Sequence, residues 1–160
     1  MVARLAAAIA LQAACAGAST GLYALASVGE APVREISDAV STGAMWQAGA
    51  QAEVNAELLF AFVKVSGGTR LGTYSAEALV GAGAFWPVFF LKPGVYADIG
   101  LSTYAEKEFT IGDEYVLRRR HAVPTAFGAR VEAFDRAFMS FEGRNAGQPM
   151  WKMEIGYRFL

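Results

Sequence analysis

Beyond residue 30 the chain is apolar without staying apolar for long. A helix that crosses a bilayer needs about 20 predominantly apolar residues in a row. The best candidate, Ala76 to Leu91, is interrupted by Gly81, Gly83 and Pro87. Yet 54% of the 160 residues are hydrophobic and only 18% are charged, against about 25% charged in an average soluble domain. The apolar residues alternate instead. Trp151, Met153, Ile155, Tyr157 and Phe159 fall on one parity, and Lys152, Glu154, Gly156 and Arg158 on the other. An extended chain turns successive side chains to opposite faces, so period two means a strand with one apolar face.

The same test finds seven more strands. Phe127, Ala129, Val131 and Ala133 oppose Gly128, Arg130 and Glu132. Val95, Ala97, Ile99 and Leu101 oppose Tyr96, Asp98, Gly100 and Ser102. Ala76 to Trp86 alternates against Ser75, Glu77, Gly81 and Gly83, with Leu79 breaking the polar face. Ala44, Trp46, Ala48 and Ala50 oppose Gln47, Gly49 and Gln51. Ala137 to Glu142 and Leu22 to Val28 alternate more weakly, and Ala56 to Ser66 is apolar on both faces until Lys64, which leaves its register open. Eight strands, an even number, suit a closed transmembrane barrel. Three connections read as tight: Glu53 to Asn55, Pro87 to Gly94, and Asp135-Arg136. The other four, Gly29 to Gly43, Gly67 to Thr73, Ala105 to Val123 and Gly143 to Met150, read as longer loops. Short turns at one end and long loops at the other are the outer-membrane pattern.

Residues 1–18 read as a secretory signal peptide: Met1 to Arg4 is a basic start, Leu5 to Ala18 is uncharged, and Ala16-Gly17-Ala18 is a small-residue cleavage site. Cys15, the only cysteine, falls inside that segment. Residues 19–160 then form the domain, an all-β, eight-stranded antiparallel up-and-down transmembrane β-barrel. The composition excludes disorder, and a net charge of -1 argues against nucleic acid as a partner. Alternation alone leaves open which face is the inside. A soluble lipocalin-like barrel would enclose an apolar ligand and carry a densely charged exterior. The polar faces here are sparse and mixed in sign, as a narrow lumen with paired charges requires.

The segment Met153 to Leu160 resembles the C-terminal signal of bacterial outer-membrane β-barrels, an alternating final strand with Tyr near its end and a terminal aromatic; here Leu160 follows the aromatic. That resemblance implies recognition by the barrel-assembly machinery and residence in a Gram-negative outer membrane. The stretch Phe141 to Gly147 is similar to a segment of outer-membrane lipid A deacylases. Gly143 and Asn145 stand where those enzymes carry their His and Ser, which implies a non-catalytic relative.

Little else in the sequence carries chemistry. His121 is the only histidine, and an enzyme acting on lipid would have to draw on Ser140, Glu142 and His121. No cysteine and histidine cluster has zinc spacing, and nothing implies a cofactor. Glu106, Glu108, Asp113 and Glu114 supply oxygen ligands but match no calcium loop. The sharpest local feature is Arg118-Arg119-Arg120-His121. Arginine binds phosphate by paired, charge-assisted hydrogen bonds, so the run is expected to contact lipopolysaccharide phosphates near the outer leaflet. The leading expectation is a non-catalytic outer-membrane barrel, structural, adhesive or lipopolysaccharide-binding. A lipid-modifying enzyme and a soluble periplasmic binder are the alternatives.

Overall fold

The computed structural model describes residues 18–34, 40–70, 73–109, 115–145 and 149–160; residues 1–17, which hold nearly all of the expected signal peptide, lie outside that set. The described residues form nine strands: β1 (Ser19–Arg34), β2 (Val40–Ala56), β3 (Leu59–Arg70), β4 (Thr73–Phe85), β5 (Leu91–Phe109), β6 (Tyr115–Ala122), β7 (Thr125–Ala133), β8 (Ala137–Asn145) and β9 (Pro149–Arg158). Every pairing is antiparallel. β1 to β5 pair in sequence, β7 pairs with β8 and β8 with β9, and β9 returns to β1.

β6 and β7 both pair with β5 and share one position in the wall. Their registers are continuous: Ser102 faces Ala122 and Ile99 faces Thr125. The interruption falls at Val123-Pro124, because proline has no N–H to give to the ladder. Gly100 N still donates to Pro124 O at 3.1 Å. The barrel therefore has eight staves, as the alternation predicts, with one stave broken by a proline that keeps its place.

The polar parity points inward. Gln47, Gln51, Glu53, Lys64, Ser66, Glu77, Asp98, Arg130, Glu132, Ser140, Glu142, Lys152 and Glu154 are buried, while Trp46, Val65, Val80, Ile99, Leu101, Phe127, Met139, Phe141, Ile155 and Tyr157 are exposed. This is the inverse of a lipocalin. The open register of β3 is resolved by its partners: Phe60, Phe62, Lys64 and Ser66 face inward, and Leu59, Val63 and Val65 outward. Leu79 keeps the inward parity of its strand and is buried against Gly100.

Strand ends differ from the sequence expectation. The β2–β3 turn is Glu57-Leu58, not Glu53 to Asn55, which lie within β2. At the other end of the barrel the expected loops are largely hairpin: β1 and β2 pair up to Arg34 and Val40, and β5 and β6 up to Phe109 and Tyr115. Gly67 and Gly68 are strand residues, and β8 runs on to Asn145. A ladder that projects beyond the apolar band needs no alternation, so its length leaves no periodic trace.

The lower end, with the short turns and the C-terminus, is floored by aromatic rings. Phe60, Phe62, Phe85 and Tyr96 form one buried cluster, and Tyr23, Leu25 and Phe138 another. Several rings lie in notches left by glycine on the neighbouring strand. A Cβ at Gly156 would stand 2.2 Å from Phe138, and one at Gly128 would stand 2.5 Å from Tyr96. Phe138 cannot retreat, because the Arg130 guanidinium lies 3.8 Å from its ring centre. Gly156→Ala is therefore expected to cost about 1–3 kcal/mol by overpacking. Gly143→Ala faces open space and should stay within about 0.5 kcal/mol. Urea unfolding of the two variants checks the contrast.

Candidate functional site

Two places gather chemistry-bearing side chains: the lumen and the upper rim. In the middle of the lumen the Glu142 carboxylate, fully buried, accepts hydrogen bonds from Tyr96 Oη at 2.8 Å and Arg144 Nη2 at 2.5 Å. Lys152 Nζ stands 3.2 Å and Lys64 Nζ 3.7 Å from it. Arg144 also reaches Glu77 at 2.6 Å, and Lys64 reaches Glu154 at 3.2 Å. Nearer the floor, Arg130 is held between Glu53 and Glu132, with the second at 2.6 Å. Above the network Gln47 donates to Ser75 at 3.2 Å and accepts from Ser66 at 3.3 Å. Arg70 covers the Tyr104 ring at 4.0 Å.

The charges come from alternate positions on β2, β3, β4, β5, β7, β8 and β9, each aimed inward by strand parity. Eight staves leave an interior just wide enough to be filled by side chains. Between the floor and the ion network lies a void of about 10 Å³, lined by Gln51, Tyr96, Ser140 and Glu154 among others. A void of that size holds about one water, so at this level the lumen is plugged by side chains.

The structure separates the residues that an enzyme would need together. Ser140 and Glu142 are buried inside the barrel, and Glu142 is already engaged by three cations. His121 is exposed on β6, where its Nδ1 lies 3.0 Å from Thr103 Oγ1. Its odd parity, shared with Phe127 and Val131, is the outward one. The barrel wall lies between His121 and the other two, so these residues build no nucleophile and base pair. Of the acidic quartet, Asp113 and Glu114 lie outside the described residues.

The arginine run is corrected from loop to strand. Arg118, Arg119 and Arg120 belong to β6 and pair opposite Glu106, Ala105 and Tyr104. All three are exposed, but parity divides them. Arg118 and Arg120 lie on the side that faces the mouth of the barrel, while Arg119 lies on the outward side with His121. Arg119 Nε donates to Tyr74 Oη at 3.1 Å, reaching over Ala105 to the next strand but one. Ala105 beneath it is only 4% exposed. Tyr74, Thr103, Arg119 and His121 form an outward polar patch directly above Leu101 and Val123, where the apolar surface begins.

Sequence reasoning misses the buried charges Glu53, Lys64, Arg70 and Arg144. The sequence places Glu53 in a turn and Arg70 and Arg144 in loops, and gives Lys64 no face; Glu53, Arg70 and Arg144 continue the inward parity of Gln51, Ser66 and Glu142. The final strand behaves as expected: Met153, Ile155 and Tyr157 face outward. Leu22 N donates to Leu160 O at 3.0 Å and Phe159 N to Leu22 O at 3.0 Å, closing the seam with β1.

No family model and no curated protein matches the chain. Solved structures do. The N-terminal β-barrel domain of Pseudomonas aeruginosa OprF superposes with a TM-score of 0.57 at 12% identity, covering 87% of this chain and 98% of that one. Neisserial surface protein A superposes with a TM-score of 0.59 at 14% identity, covering 89% and 97%. Ail, the attachment invasion locus protein of Yersinia pestis, solved with the heparin analogue sucrose octasulfate, gives 0.50 at 12% identity, covering 87% and 99%. The likeness is one of fold: the chain has the closed eight-stranded architecture of small outer-membrane barrels.

Proposed function

We propose that this chain is an integral barrel of the bacterial outer membrane that works by binding at its outer rim, on lipopolysaccharide phosphate, rather than by catalysis or conduction. One observation carries the reading: an apolar exterior encloses a lumen of buried, paired ions. In water that distribution would leave a hydrophobic patch far larger than soluble monomers tolerate, while in a bilayer it is the stable arrangement. Exposed aromatics mark both edges of the apolar band, Trp46, Tyr74, Phe141 and Trp151 above, Trp86, Tyr157 and Phe159 below. The short turns then face the periplasm and the long hairpins the outside. Retention in the outer-membrane fraction, with a folded band that shifts on heating in a gel, is the expected result; release with the periplasmic contents defeats the proposal.

At the outer edge the Arg119, His121, Thr103 and Tyr74 patch sits at headgroup depth. An arginine held by a neighbour loses less freedom when it binds phosphate. Arg119 is thus the member of the run placed to contact lipid, and Arg118 and Arg120 contribute from the mouth side. A charge-assisted hydrogen bond contributes about 1.5–3 kcal/mol. Arg119→Gln should therefore lower lipopolysaccharide co-purification about tenfold or more, and Arg118→Gln with Arg120→Gln much less. Equal retention in all variants removes the site. The strand Met153 to Leu160 is proposed as the segment that the assembly machinery reads.

A further inference from the structure

Among the described residues β6 pairs with β5 alone. Below Pro124 the place beside β8 belongs to β7, whose Thr125 faces Asn145 at the end of β8. There β8 turns back, because Asn145 also faces Pro149 of β9. Above that level residues 115–120 of β6 present one edge, with its N–H and C=O groups, beside which no described strand lies. At a rise near 3.3 Å per residue this edge is about 20 Å long. The β1–β2 hairpin also outruns its neighbours, since β9 accompanies β1 only as far as Glu30 and β3 accompanies β2 only from Met45. Its projecting residues, 31–34 and 40–44, carry a single charge, Arg34.

The edge of β6 is charged on one sign. The strand carries three arginines and no acidic residue. Val116, on the mouth-facing parity, is 50% exposed, and Leu117, on the outward parity, is 56% exposed. Both faces of the strand are open as well as its edge, and such an edge is a template for a further strand. A second copy of β6 is a poor occupant: antiparallel pairing centred on Arg119 sets arginine against arginine, and like charges directly opposite destabilise a ladder. On its paired side β6 already meets acid, with Glu106 opposite Arg118 and Glu108 opposite Val116.

We infer that the open edge of β6 is a docking site for an extended acidic segment of another protein, which adds to the sheet as a further strand. Backbone hydrogen bonds along residues 115–120 attach the segment, and side chains at alternate positions select it. Acidic residues of the segment lie opposite Arg118 and Arg120 on the mouth-facing side, and an apolar residue meets Leu117 on the outward side. Arg119, tied to Tyr74, is left to the lipid. The edge rises from Val123, where the apolar surface begins, so a partner in water reaches it without entering the apolar band. The charge that repels a second copy is the charge that admits this partner.

The test measures the fluorescence anisotropy of short labelled peptides on the full barrel refolded in detergent micelles. A peptide alternating glutamate with valine should bind about tenfold more tightly than the same peptide with every backbone nitrogen methylated, and than one with lysine in place of glutamate. Arg118→Glu with Arg120→Glu, shown to be folded by its heat-sensitive gel shift, should reverse the preference towards the lysine peptide. Equal binding of the methylated peptide means that charge alone holds it and overturns strand addition. Equal binding of the lysine peptide overturns the acidic partner. Disulfide cross-linking of Leu117→Cys barrels through that cysteine gives the edge to a second copy and overturns the proposal, as does a failure of every peptide to bind.

Discussion

Replacing Glu142 by alanine is expected to lower the unfolding free energy by about 3–5 kcal/mol, the range for breaking a buried ion pair from one side. Among the described residues Glu142 is the one carboxylate that Lys64, Lys152 and Arg144 share. Without it these cations keep Glu77, Asp98 and Glu154 among the described carboxylates. Tyr96 also loses its acceptor. Glu142→Gln keeps the shape and an acceptor for Tyr96 and should cost less, which separates charge from volume. Ser140, two residues away on the same face, is buried but its Oγ bonds no charge, so Ser140→Ala should change stability little. Urea titration of the refolded barrel, read by the heat-sensitive gel shift, measures all three. A loss below about 1 kcal/mol for Glu142→Ala would mean that water screens the network as it does surface pairs. The lumen would then be wet rather than plugged by side chains.

The interior was readable from the sequence wherever inward side chains are polar or small. β9, β7 and β5 alternate cleanly because Lys152, Glu154, Arg130, Glu132 and Asp98 contrast with the apolar parity. β3 was unreadable because its inward residues include Phe60 and Phe62, which build the floor with Phe85 and Tyr96. An inward aromatic and an outward one look the same to a hydropathy pattern. Glycines opposite those rings were the available signal, since Gly81 and Gly83 leave the space that Phe62 and Phe60 fill. Arg144 was hidden by its setting among turn-forming residues, although it simply extends the parity of Phe138, Ser140 and Glu142.

The rim was harder, for a different reason. Above the apolar band both faces of a hairpin meet water or headgroups, so alternation stops carrying information. Arg118-Arg119-Arg120 reads as one basic cluster in sequence, and only pairing with β5 reveals that its members divide between the mouth and the exterior. The likeness of Phe141 to Gly147 to a deacylase segment rests on residue spacing alone. Glu142 is a strut between cations, a role that its spacing does not distinguish from orienting a base.

The orientation of the whole wall can be tested at one pair of adjacent positions on β9. Ile155 is 55% exposed, midway between Trp151 above and Phe159 below, opposite Ala26 on β1 and Met139 on β8. If this surface meets hydrocarbon, Ile155→Arg should cost about 2–4 kcal/mol when folding is measured in bilayers, the range for a guanidinium at the midplane of a barrel. Moved towards either edge, at Met153 or Tyr157, the same arginine should cost less, because it can reach the headgroups. If the surface met water instead, Ile155→Arg would fall within about 0.5 kcal/mol of the parent and would improve solubility. Glu154→Ile, one residue away, reverses the logic: it removes a partner of Lys64 and Lys152 from the lumen and is expected to destabilise the barrel in any solvent. A depth-dependent penalty at 155 with a solvent-independent one at 154 requires the apolar parity to face lipid. Harmless arginine at 155 would leave the apolar exterior without a bilayer to explain it.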